Sequence, residues 1–194
     1  MSTTTAASVK DQLLKERPHV LVARWFLEDT PALFKDRASH VAWKRDLAEL
    51  LRVSVFDLIV VGSAAVGISL NPAKNFKAFA PTSDIDLALV SAHHFDVSWR
   101  WLRGLGAGLY RLPEPAQNWV REHERRLVYW GTIATDQLLA YMPFGHEWVP
   151  HLSTMSGQDP AQGREINVRL YRDFASLEAY QVACIKKLRL GLTP

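Results

Sequence analysis

Gly62-Ser63-Ala64-Ala65-Val66-Gly67, followed after a spacer by Ser83-Asp84-Ile85-Asp86-Leu87, is the stretch whose reading decides the fold. Before it runs Val55-Phe56-Asp57-Leu58-Ile59-Val60-Val61, rich in β-branched residues and ended by glycine, which reads as a buried strand. Gly62 lets the backbone turn sharply, and Ser63 adds a hydroxyl and an N–H. A short helix starting there would aim free N–H groups at a phosphate; the plainer alternative is a strand-to-helix turn with Ser63 as cap. In Asp84-Ile85-Asp86-Leu87-Ala88-Leu89-Val90, side chains alternate between faces. Ile85, Leu87 and Leu89 then face a core, while Asp84 and Asp86 share the other face. Two carboxylates that close repel each other unless a cation lies between them. Oxygen ligands of this kind suit Mg²⁺, which keeps waters and the phosphates of a nucleotide. A solvated strand start is the alternative for the pair taken alone.

The serine turn, the glycine four residues after it (Gly67) and the Ser83–Leu87 run together resemble the signature of the nucleotidyltransferase superfamily related to DNA polymerase β, of the minimal nucleotidyltransferase type. The resemblance spans Asp57 to Ser91. It implies an α/β (α+β) fold, with a small mixed sheet flanked by helices. It also implies transfer of a nucleoside monophosphate from a Mg²⁺- or Mn²⁺-bound NTP, ATP first among them. The hydroxyl acceptor would be a protein, RNA, nucleotide or small molecule. Asp84 and Asp86 would hold the metal, and Gly62, Ser63, Gly67 and Ser83 would line the nucleotide site. Twenty-one positions separate Ser63 from Asp84, more than in many members. The extra segment, Leu70 to Pro81, reads as a longer loop over the site, with Lys74 and Lys77 as cations for the leaving group.

Active members bring a third acidic residue from a later strand. Here Arg164-Glu165-Ile166-Asn167-Val168-Arg169-Leu170-Tyr171 alternates cleanly, and its central site-facing residue is Asn167. Asparagine ligates a metal weakly and cannot accept a proton at neutral pH. Either Glu165 on the same face replaces it, or the chain works with one metal or none; Asp136 is a further candidate. Arg169 is a third cation available to the leaving group. Two functions therefore stand side by side. One is a nucleotidyltransferase. The other is a degenerate nucleotide- or partner-binding module, as in a toxin–antitoxin or phage-defence system, working with a protein partner or as a homo-oligomer.

At 194 residues and 48% apolar, the chain reads as one domain, with N-terminal helices over 1–53 and the sheet-bearing core over 54–194. A net charge of +3 suits anionic nucleotides without demanding nucleic acid. The single cysteine, Cys184, rules out an intramolecular disulfide and is assigned to packing. Met1 to Ala7 lacks an apolar signal core, and no stretch has the length of a membrane span, so a cytoplasmic protein is expected.

In chain order, residues 1–8 read as loose. A helix follows from Val9 to about Glu28, broken at Pro18, and Thr30-Pro31 reads as a helix start. Ser39 opens a helix to Arg52. His93 and His94 read as exposed loop, with Asp96 capping the next helix. Arg121 to Arg126, interleaved with Glu122 and Glu124, reads as a solvated face, with polyanion binding as the minority view. Leu127 to Trp130 with Ile133 suggests a strand, and Asp136 to Met142 a short helix. Pro143 to Gly163, rich in Gly, Pro, Ser and His, reads as a long loop able to cover the nucleotide. Asp173 starts the last helix, with Leu177, Tyr180, Cys184 and Leu188 on its apolar stripe.

Overall fold

A computed structural model describes residues 5–192. Its helices are α1 (Ala6–Lys15), α2 (Pro18–Ala23), α3 (Arg37–Leu51), α4 (Gly62–Val66), α5 (Ala92–Gly104), α6 (Glu114–Glu122), α7 (Gly145–Ser156) and α8 (Phe174–Leu190). The strands are β1 (Leu58–Val61), β2 (Ile85–Val90), β3 (Thr132–Ala134) and β4 (Ile166–Tyr171). They form one mixed sheet in the order β1-β2-β4-β3. β1 and β3 run antiparallel to their neighbours, and the central β2–β4 pair is parallel. The coarse expectation of a small mixed sheet flanked by helices is met. Among the described residues no helix is long and apolar enough to cross a membrane.

The three apolar strand runs became strands because each buries its apolar side chains: Leu58 to Val61 are all buried, as are Ile85 and Leu87 to Val90, and Ile166, Val168 and Leu170. The N-terminal helices contribute Leu13, Leu21, Trp25 and Leu47 to the same continuous core as the sheet. Pro18 occupies the first turn of α2, where its missing N–H costs nothing. A π turn, Arg24–Glu28, continues that helix.

Several local expectations are corrected. Part of the loose start, 1–4, lies outside the described residues, but Thr5 caps α1 through a bond from the Ser8 N–H. Thr30-Pro31 starts no helix. The amides of Ala32 and Leu33 instead donate to the carbonyls of Ala65 and Ala64, tying this segment to α4. α3 is capped by Asp36, and Ser39 closes the capping box from inside the helix. Likewise Ser91, not Asp96, caps α5, which takes His93 and His94 into its first turn. His94 is half-buried against Phe144 and Trp148. Leu127 to Trp130 forms the end of a π turn (His123–Leu127) and a 3-10 turn (Val128–Trp130), and only Thr132–Ala134 pairs as strand.

The largest correction concerns 143–163. Most of it is helix α7, whose Trp148, Leu152 and Met155 are buried at helical spacing. α7 packs on α3 and on the 3-10 turn Asp136–Tyr141, and it lines no part of the cavity that opens at the end of the sheet. The lid role is therefore withdrawn.

Candidate functional site

Strand register assembles the site. Val61 pairs with Asp86, and Asp86 pairs with Asn167. The turn leaving β1, the start of β2 and the start of β4 thus meet at one edge of the sheet. Because β3 is antiparallel to β4, with Ala134 opposite Arg169, its end delivers Asp136 to the same edge. A cavity of about 440 Å³ opens there. One wall carries Gly62, Ser63, Asp86 and Asn167; the spacer loop adds Ser69, Asn71 and Lys74. Tyr180, Cys184 and Lys187 from α8 close the opposite side, with Arg126 from the π turn after α6.

The closest approach is between the serine turn and Asp86. Gly62 has φ +65°, and a Cβ built on it would stand 2.7 Å from Asp86 Oδ2. Only glycine permits both the turn and that contact. Gly62→Ala is therefore expected to cost roughly 1–3 kcal/mol and to displace the carboxylate. Thermal unfolding and nucleotide calorimetry would check this; wild-type behaviour in both would remove the close approach as a constraint.

By surface area Asp86 is exposed, because its side chain opens into the cavity, but protein crowds it on its other sides, and that crowding shifts its charge balance. Burial pushes its pKa up to about 6. Arg169 and Lys74 oppose the rise, while Asp136 and Asp84 add to it. Asp136 is also raised, first by burial and then by Asp84, against the pull of Arg169. Arg169 lies between these carboxylates and Tyr180, to whose hydroxyl its Nη1 donates at 3.3 Å, with the guanidinium 5.1 Å from the ring centre. Neighbouring tyrosines and carboxylates hold it charged despite burial.

Gly62, Ser63, Lys74, Asp86, Asn167 and Arg169 come together in the cavity as read from the sequence. Asp84, Gly67, Ser83, Lys77 and Glu165 are placed outside its lining. Asp84 is exposed just before β2, within electrostatic reach of Asp86 and Asp136. Gly67 caps α4 and faces a second cavity behind that helix. Ser83 Oγ accepts from the Ala80 N–H in a turn. Lys77 is exposed, and its carbonyl accepts from the Ser69 N–H. Glu165 is exposed; its carbonyl begins the β2–β4 ladder by accepting from Ile85. Asp136, the further candidate, is the additional carboxylate that lines the cavity.

Sequence reasoning missed Arg126, Lys187, Tyr180 and Cys184 as wall residues. Tyr180, Cys184 and Lys187 fall at helical spacing; Tyr180 and Cys184 read as core, with Leu177 and Leu188, because a helix facing a cavity and one facing a core share the same period. Cys184 is accordingly a cavity-wall residue, its thiol pushed up by burial.

Comparison with known proteins supplies no relative: no family model, curated protein or solved structure matches the chain.

Proposed function

We propose that this cavity binds a nucleoside triphosphate with Mg²⁺ or Mn²⁺ and transfers its nucleoside monophosphate to a hydroxyl acceptor. The observation that carries the proposal is the register row Val61, Asp86, Asn167 across three strands, with Gly62 turning away directly after Val61, opening on a cavity lined by Asp86 and Asp136 and by Lys74, Arg126, Arg169 and Lys187. Cations for a polyphosphate and carboxylates for a divalent ion are thus on one wall-to-wall span.

The donor set fits a shared metal site. Among the described residues no group of three or more His, Cys, Asp or Glu gathers closely enough to cage an ion by itself. Mg²⁺ commonly takes one or two carboxylates and completes its shell with water and substrate phosphate. Asp86, with Asp84 and the Asn167 carbonyl, would hold it. Such an ion supplies charge screening on the phosphates.

The chain's own groups do the rest. The Ser63 hydroxyl and the turn at Gly62 fix the phosphate tail, and Lys74 and Lys187 pair with it. The acceptor oxygen bonds to the α-phosphorus while the α-phosphorus bond to the bridging oxygen breaks. Pyrophosphate leaves with that electron pair. The hydroxyl proton passes to Asp136, whose raised pKa suits a proton acceptor. Asp136→Asn is expected to lower pyrophosphate release at least about a hundredfold while nucleotide affinity changes little. Undiminished release from this variant would remove Asp136 from the proton path.

A second reading has its own support. Asn167 stands opposite Asp86 where a carboxylate is expected, and Arg169 partly neutralises the acidic pair. The chain would then bind nucleotide without turnover. Binding by calorimetry with no pyrophosphate release against any acceptor would decide for it.

Metal–nucleotide affinity should weaken as pH falls through about 6, because protonated Asp86 cannot ligate. The same group works oppositely on the empty protein. Its folded pKa is raised, so its stabilising contribution is present below about 4 and lost as pH rises through about 6. Calorimetric titrations from pH 5 to 8 with Mg²⁺–ATP would show the first trend; a flat profile would argue against Asp86 as ligand.

A further inference from the structure

Beside the nucleotide cavity lies a further, open groove of about 510 Å³, formed by Pro115, Asn118, Trp119, Arg121, Glu122, Arg125 and Arg126. Arg126 lines both this groove and the nucleotide cavity. α6 and the π turn bury Ala116, Val120, His123 and Leu127 on the inner side. His123 pins the turn to β3: its Nε2 accepts from the Ala134 N–H at 2.9 Å, and its Nδ1 meets the Trp119 carbonyl at 2.6 Å. The wider π turn lets adjacent arginines diverge, so that Arg126 reaches the cavity wall while Arg125 stays in the groove.

Charge is left uncompensated there. Arg126 pairs with Glu122. Arg121 is oriented only by the neutral amides of Asn118 and Gln117, at 3.1 and 3.3 Å. Arg125 has no ion pair with a described residue. Flat guanidinium planes offer stacking faces as well as phosphate partners, and the half-buried Trp119 indole, packed inward beside His123, presents its remaining surface to the groove. Tyr129, four residues beyond Arg125 and outside the groove's lining, is 85% exposed.

Resting on the nucleotidyl-transfer reading, we propose that this groove binds the end of a single-stranded nucleic acid and that Arg126 marks where its terminal hydroxyl enters the nucleotide cavity. A single strand is favoured over a duplex because stacking surfaces need unpaired bases. The groove thereby names the acceptor class, with RNA and DNA sharing the chemistry it recognises.

Fluorescence anisotropy with a 12-nucleotide single-stranded RNA, the same DNA, a blunt duplex and heparin tests this on the full chain. The single strands should bind more tightly than heparin or duplex. Arg121→Ser with Arg125→Ser should weaken strand binding at least about tenfold and flatten its salt slope by roughly 0.7 for each phosphate that is no longer neutralised. Should the double variant melt early, Arg125→Ser alone, at an exposed position, serves, with a weakening of about threefold. The RNA and DNA arms rank the two sources. No strand binding, heparin binding as tight as strand binding, or affinity unchanged by these substitutions would each overturn the proposal. Mg²⁺–ATP calorimetry on the same wild-type protein separates the two readings. Nucleotide bound without strand overturns only the groove; strand bound without nucleotide overturns only the transfer reading.

Discussion

Replacing Asp86 with asparagine should raise the melting temperature of the nucleotide-free protein slightly and abolish its stabilisation by Mg²⁺–ATP. The first half follows from the cost of holding a carboxylate in an enclosed site beside Asp136 and Asp84, which lifts its pKa to about 6. Asparagine keeps the shape and removes the charge. Solvent in the cavity screens the effect, so about 1 °C is expected. The second half is larger. A ligand at a hundred times its dissociation constant stabilises by about 2.7 kcal/mol, or roughly 5–10 °C for a chain of this size. Without a carboxylate at the centre of the strand row, that shift should vanish. Differential scanning calorimetry with and without Mg²⁺–ATP reads both halves. A variant that melts lower than wild type, yet keeps the ligand shift, would sink the metal role of Asp86.

Trp148→Ala should lower stability by about 3–5 kcal/mol and leave nucleotide affinity within about threefold of wild type. Trp148 is 2% exposed and lies under Phe144, with ring centres 4.4 Å apart. His94 closes the other side at 5.0 Å. Removing the indole empties a site walled by α5 and α7, whose surroundings cannot collapse freely. At about 2–4 °C for each kcal/mol, the melting temperature should fall by roughly 10 °C. A covering loop at 143–163 would behave in the opposite way, with weak effects on melting and strong effects on affinity. Urea denaturation paired with calorimetry at low temperature distinguishes the two.

What was legible from residues alone was local. β1, β2 and β4 announce themselves because buried branched runs and strict alternation depend only on neighbours along the chain. Asp173 caps α8 as its position implies, accepting from the Ser176 N–H at 2.7 Å. Asp86 and the Gly62 turn were found for the same reason, as motifs within short spans.

α7 was missed because Gly145 and Pro150 look like loop markers. In the folded chain Gly145 is there for space: a Cβ would collide with the Leu139 carbonyl oxygen. Only the packing of two elements reveals that the glycine serves a close approach. Residues 127–130 went the same way, since an apolar aromatic run suits a strand or a buried turn equally until His123 anchors it to β3.

The sequence by itself determined three strands, the capped C-terminal helix, and the glycine turn and acidic run as separate local motifs, because each of these depends on interactions within a few residues. Tertiary structure alone decided which distant groups share the cavity. It brought in Asp136, Arg126 and Lys187 and placed Glu165 and Lys77 outside. Strand register and helix packing set those distances, and both are summed over interactions that no short window of sequence contains.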